Sequence, residues 1–260
     1  MTDEYKRNYL KEVILRIDFP DASLKLEDGV PTSITKKILI HYPIPEKSDL
    51  IEKSIKISGS ADEKPVEVIK EYTQWAYHGK NRDKNFCISN DYAYFSHKTW
   101  DSESYKQVEE LCLSLLDELF DINPELQVTR LGFRYINHIE SHKPGSPIDW
   151  GDYLNNDMLC IFNIAADHRQ YISRAFHNLV LNYGDVMLRF QYGMHNPDYP
   201  ATIRKKLFVL DYDAYCEGPQ NKQEIETNLK CIHDKIIEFF ELSILDNLRA
   251  IMREVDSGEQ

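Results

Sequence analysis

The sequence predicts an α+β fold, mainly antiparallel sheet in two similar halves, with helices packed on the sheet. Three observations carry this. Short runs with period-two alternation, separated by turn residues, recur along the chain. Two long segments instead repeat apolar residues at spacings of three and four. The order strand, meander, long helix occurs twice, which places long helices on the sheet that precedes them. The halves are residues 1–124 and 125–260, or one continuous domain, because 260 residues suffice for a single sizeable core. Without evident sequence identity between them, duplication is an expectation that residues 9–122 superpose on 128–242.

Val13, Leu15, Ile17 and Phe19 alternate with Arg16 and Asp18 and stop at Pro20, which reads as a strand. Ile34 to Tyr42 is rich in β-branched residues but follows Val30-Pro31-Thr32-Ser33, a helix-start pattern, so a short helix is expected. Charges, serines and Gly59 make 46–64 a connecting loop with a helical turn at Ser48-Asp49-Leu50-Ile51-Glu52. Val66 to Tyr77, Phe86 to Ile88 and Tyr92 to Phe95, divided by polar turns, form a meander. Asp101-Ser102 opens a helix with Tyr105, Val108, Leu111, Cys112, Leu115, Leu119 and Phe120 on one stripe, and Asn123-Pro124 ends it.

The second half begins on Arg130 to Ile139. Leu131, Phe133, Tyr135, Asn137 and Ile139 point one way, and Arg130, Gly132, Arg134, Ile136 and His138 the other. Residues 141–157 are the most loop-like stretch and divide the chain near its middle. A hairpin turning at Asn182-Tyr183-Gly184-Asp185 joins a strand within 171–181 to an alternating one at 186–192. Leu207 to Tyr215 starts apolar on both faces, as a central strand does, then acquires Asp211 and Asp213 on one side. A helix over 223–242 carries Ile225, Leu229, Ile232, Ile236, Phe239 and Phe240. Ser243 with Asp246 reads as a capping box opening a closing helix through Met252.

Composition narrows the function classes. With 43 acidic against 31 basic residues the net charge is −12, which disfavours nucleic acid and anionic membranes except through a local basic patch such as Arg204-Lys205-Lys206 or Lys80 to Lys84 with Lys143. No apolar run reaches spanning length and Met1 to Lys6 lacks a secretory layout, so a cytoplasmic protein is expected. Five cysteines without a CxxC pair suit a reducing compartment, most of them as small core residues.

Arg130 and Arg134, with Asp211 and Asp213, form the constellation with most chemical content. A carboxylate beside a guanidinium is first of all a structural ion pair; the functional reading is an anion site gripping a phosphate or carboxylate. Asn137 and His138 share the arginine strand and complete the candidate ligand-binding set. No metal site is expected from nine histidines without HxH or HExxH spacing, and DxD alone is a weak cation signal. No cofactor is expected where GxSxG, P-loop and GxGxxG are all missing. His168 and His177 are weighed as general bases and read as structural.

Arg130-Leu131-Gly132-Phe133-Arg134-Tyr135-Ile136-Asn137-His138-Ile139 resembles R-L-G-x-R-Y-x-N-x-I, the mid-chain signature of a sporadically distributed bacterial family of uncharacterised proteins. Leu10 to Val13, Tyr42-Pro43, Trp75 and L-D-x-D-x-Y at Leu210 to Tyr215, before a helix with paired Phe, are similar in order, so the resemblance covers nearly the whole chain. It assigns no reaction and no catalytic residue; patchy distribution implies accessory or defence genes. The resulting expectation is a non-enzymatic protein that binds a partner macromolecule, protein first: antitoxin-like, immunity-like or a complex subunit. The alternative is a phosphate- or nucleotide-directed enzyme or sensor holding a small anionic ligand on Arg130, Arg134, Asp211 and Asp213. Oligomeric state is left open.

Overall fold

Strand pairing joins the two halves directly. The structure, a computed structural model, describes residues 5, 7–20, 23–24, 26, 29–56, 66–140, 149–164, 166–197, 199–200 and 207–253. In chain order it contains β1 (Leu10–Asp18), α1 (Thr32–His41), β2 (Ile44–Lys56), β3 (Val66–His78), β4 (Lys84–Ile88), β5 (Tyr92–His97) and α2 (Ser102–Ile122). The second half has β6 (Val128–Glu140), two 3₁₀ segments (Asn156–Asn163 and Ala166–Tyr171), β7 (Ala175–Asn182), β8 (Met187–His195), β9 (Leu207–Gln220), α3 (Lys222–Ser243) and α4 (Asp246–Arg253). All nine strands form one sheet in the order β2-β3-β4-β5-β1-β6-β9-β8-β7, and every pairing is antiparallel.

In each half the last meander strand returns to the first strand: β5 to β1 and β9 to β6. The seam is β1 against β6, from Val13↔Tyr135 to Asp18↔Arg130. A long amphipathic helix follows the meander in each half, α2 in the first and α3 in the second, where the short α4 comes after it. The halves differ in detail, with four meander strands after α1 in the first and three after the 3₁₀ segments in the second.

The helices bury their apolar stripes on one face of the sheet. Asp101 caps α2, its side chain accepting from Ser104 N at 2.7 Å. Asn221 and Glu224 cap α3 reciprocally. Beneath them an aromatic layer runs across the sheet, with Phe86 against Phe95 at 4.8 Å, Trp100 against Tyr135 at 5.9 Å and Phe190 stacked on Tyr212 at 4.5 Å. Two histidines are drawn into it. Tyr42 Oη lies 2.7 Å from His97 Nε2, and Tyr135 Oη 2.9 Å from His233 Nδ1. Burial lowers the His97 pKa to about 4 and that of His233 to about 3, since neither imidazolium would be solvated there.

Two expectations need correction. Residues 46–64 were expected to form a loop with a helical turn at 48–52, but Ile44–Lys56 is a full strand paired with β3 along its length; residues 57–65 lie outside the described residues. Charges on both faces and Pro45 disguise it, and both are what a sheet edge tolerates. Ser243 does not cap α4: it is the last residue of α3, and its hydroxyl donates to Phe239 O at 2.7 Å. Cys87, Cys112 and Cys216 are buried while Cys160 and Cys231 are exposed. Among the described residues no helix is long and apolar enough to cross a membrane.

Candidate functional site

Because the helices sit on one side, the residues of opposite parity form a second face, helix-free among the described residues. On β1 these are Glu12, Ile14, Arg16 and Asp18, and on β6 Arg130, Gly132 and Arg134. On β9 they are Asp211, Asp213 and Tyr215, with Arg189 on β8; the strand registers place them side by side.

Their charges interlock across four strands. Arg16 Nε donates to Asp18 Oδ1 at 2.7 Å, and Arg130 Nη1 lies 3.8 Å from Asp18 Oδ2. Arg130 Nη2 donates to Asp213 Oδ1 at 3.1 Å, and Arg189 Nη2 to Asp213 Oδ2 at 3.3 Å. Beside this chain Arg134 grips Asp211 with both ends of its fork, Nε to Oδ1 at 2.8 Å and Nη2 to Oδ2 at 2.6 Å. Arg134 stands directly opposite Asp213 yet pairs diagonally with Asp211, two residues along β9.

Side-chain length sets the depth of each charge. The short aspartates stay near the backbone, Asp211 with 10% and Asp213 with 14% of the side chain exposed, while Arg134 rises to 39% and Arg189 to 50%. Over β9 the face therefore has a carboxylate floor and a guanidinium roof, whereas Arg130 and Asp18 lie level, 23% and 21% exposed. Aromatic rings support two of the arginines: Arg130 lies over Tyr215 at 4.4 Å and Arg16 over Tyr92 at 4.8 Å. Gly132 is required between the two β6 arginines. A Cβ there would stand 2.9 Å from Tyr215 Cβ and 3.2 Å from Arg130 Nη1, removing the space in which Arg130 lies down.

A groove of about 540 Å³ runs over this seam, lined by Glu12, Ile14, Arg16, Asp18, Asn85, Tyr94, Ser96, Arg130, Gly132, Arg134 and Asp213. Three arginines face three carboxylates, so the groove is charge-balanced. Ser96 Oγ donates to Glu12 Oε1 at 2.5 Å. Burial raises the Tyr94 phenol and keeps it a neutral hydroxyl.

Of the six residues proposed from sequence, four meet here as two coupled ion pairs: Arg130, Arg134, Asp211 and Asp213. Asn137 does not. It points into the helix-covered core, 2% exposed, with its Nδ2 3.5 Å from Leu210 O. His138 is on the open face but at the far end of the seam, in a second groove with Arg7, Tyr9, Glu140 and His195, its ring 6.3 Å from that of His195. Arg16, Asp18, Glu12 and Arg189 were missed. Their alternation was readable, but the adjacency of the three β1 residues to Arg130 depends on pairing across more than a hundred residues, and Arg189 joins through Asp213 on the neighbouring strand. Arg204-Lys205-Lys206 and Lys143 lie outside the described residues.

Among the described residues no group of three or more His, Cys, Asp or Glu is placed to hold a metal ion. Compared with known proteins, the chain matches no family model and no curated protein significantly.

The arrangement can do one thing well and another poorly. A phosphate on Arg134 must compete with the bidentate Asp211 carboxylate, and its success would leave a buried carboxylate unpaired, a cost of order 3–5 kcal/mol when fully buried. A surface with both signs of charge can instead add to the exposed guanidinium edges without dismantling the pairs beneath.

Proposed function

We propose that this chain is a non-enzymatic recognition protein whose helix-free sheet face binds a macromolecular partner, a protein of mixed surface charge. One observation supports this reading above the others: the seam groove is open and polar, yet its arginines are already satisfied by recessed aspartates. Such a face offers complementarity and register without a vacancy for a small anion. The sequence resemblance favours an accessory or defence setting, as an antitoxin-like, immunity-like or complex subunit, which rests on association alone; the cytoplasmic setting rests on the sequence composition.

The competing reading, a phosphate- or nucleotide-directed enzyme or sensor, draws on Arg16, Arg130 and Arg134 lining one groove with Ser96 and Asn85. Affinity purification from the native cell, with mass spectrometry of both proteins and small molecules, separates the two. The recognition reading expects a stoichiometric protein partner that is lost on Arg16→Glu, a charge reversal at an exposed guanidinium, with the fold of the variant checked by circular dichroism. A nucleotide that co-purifies and is lost on Arg134→Ala would overturn it.

A further inference from the structure

The two edges of the sheet are built differently. On β2, Glu46, Lys47, Asp49, Glu52 and Lys53 are all exposed, a run of charges that discourages another strand from pairing. On β7, Ala175 to Asn182 contains no charged residue, and Leu179 and Val180 are 41% and 54% exposed. Exposed Tyr171 precedes this strand and exposed Tyr183 follows it. An uncharged edge flanked by exposed aromatics is a pairing surface, not a guarded one.

The backbone fixes which groups point outward. Tyr183 N donates to Val186 O at 2.9 Å, so Leu181, Leu179 and His177 bond inward to β8. Phe176, Asn178, Val180 and Asn182 then direct their N–H and C=O groups away from the sheet.

We propose that β7 pairs antiparallel with β7 of a second copy of this chain, about a two-fold axis at Leu179, continuing one sheet through both molecules. This inference does not rest on the open-face reading. In this register Asn178 meets Val180 of the second copy and Phe176 meets Asn182. Outward groups therefore face outward groups, and about eight backbone hydrogen bonds form. The axis is normal to the sheet, so both helix layers stay on the same side. Charge agrees as well. Exposed Arg174 precedes the strand and exposed Asp185 follows it, and antiparallel pairing brings each arginine beside the aspartate of the second copy, twice by symmetry.

The test is sedimentation equilibrium on the full chain at micromolar concentration, with circular dichroism to confirm the fold of each variant. The wild type is a dimer. Leu179→Lys sets two lysines on the axis and gives a monomer. Arg174→Glu and Asp185→Arg each weaken the dimer about tenfold, and combining them restores it. A monomeric wild type overturns the proposal, whether or not its edge captures a strand of another protein. So does a dimer that survives Leu179→Lys or shows no coupling between the charge reversals.

Discussion

The two faces of β6 are held by different forces. Toward the helices, Phe133 and Tyr135 are fully buried among Trp100, Tyr105 and His233. Toward the groove, Arg130 and Arg134 lie over aspartates with 23% and 39% of their side chains exposed. Non-directional apolar burial holds the first face, and short charge-assisted hydrogen bonds organise the second. The first therefore carries stability, and the second carries geometry at modest energetic gain, because its arginines remain partly solvated.

Perturbing each face in turn breaks or sharpens that contrast. The largest effect is expected from Phe133→Ala, a loss of about 3–5 kcal/mol in urea denaturation from the cavity left in the aromatic layer. Acid acts on the same face. His97 and His233 have folded pKa values below 6.5, so below that pH the unfolded chain takes up their protons first. Their neutral burial is free of penalty above about pH 6.5. Stability is lost as pH falls from there toward about 4, by roughly 2–3 kcal/mol per histidine over two pH units. Urea midpoints across this range check it, and His233→Gln should flatten the dependence.

On the open face Arg134→Ala should cost about 2 kcal/mol, less than a fully buried pair because the guanidinium is partly exposed. Asp211→Asn should cost a similar amount, and the double variant less than the sum. Arg189→Ala, at an exposed rim, should change stability by less than about 0.5 kcal/mol. If Arg134→Ala proved as neutral as Arg189→Ala, the idea of a committed ion pair would fail.

The covered face was the more legible in sequence. Leu131, Phe133, Tyr135 and Ile139 alternate cleanly, and the α2 and α3 stripes repeat at helical spacing, so local pattern reports burial. That Arg130 and Arg134 pair with Asp211 and Asp213 was inferable because a buried carboxylate needs a cation, wherever in the chain it lies; which arginine takes which aspartate was not, since Arg134 pairs diagonally across the register. Asn137 was misplaced into the site because it shares a strand with the arginines, although parity sends it to the core. β2 was hidden because an edge strand guarded by charges has no apolar face to display. Arg16 and Asp18 could not be joined to Arg130, since antiparallel pairing of β1 with β6 is a long-range choice made by the whole sheet.

The most direct test of the recognition face is photo-crosslinking in the native cell from two positions, Ile14 in the groove and Glu110 on the exposed side of α2. The account predicts one dominant protein adduct from position 14 and none from position 110. Equal labelling from both positions, or an adduct only from position 110, would contradict it.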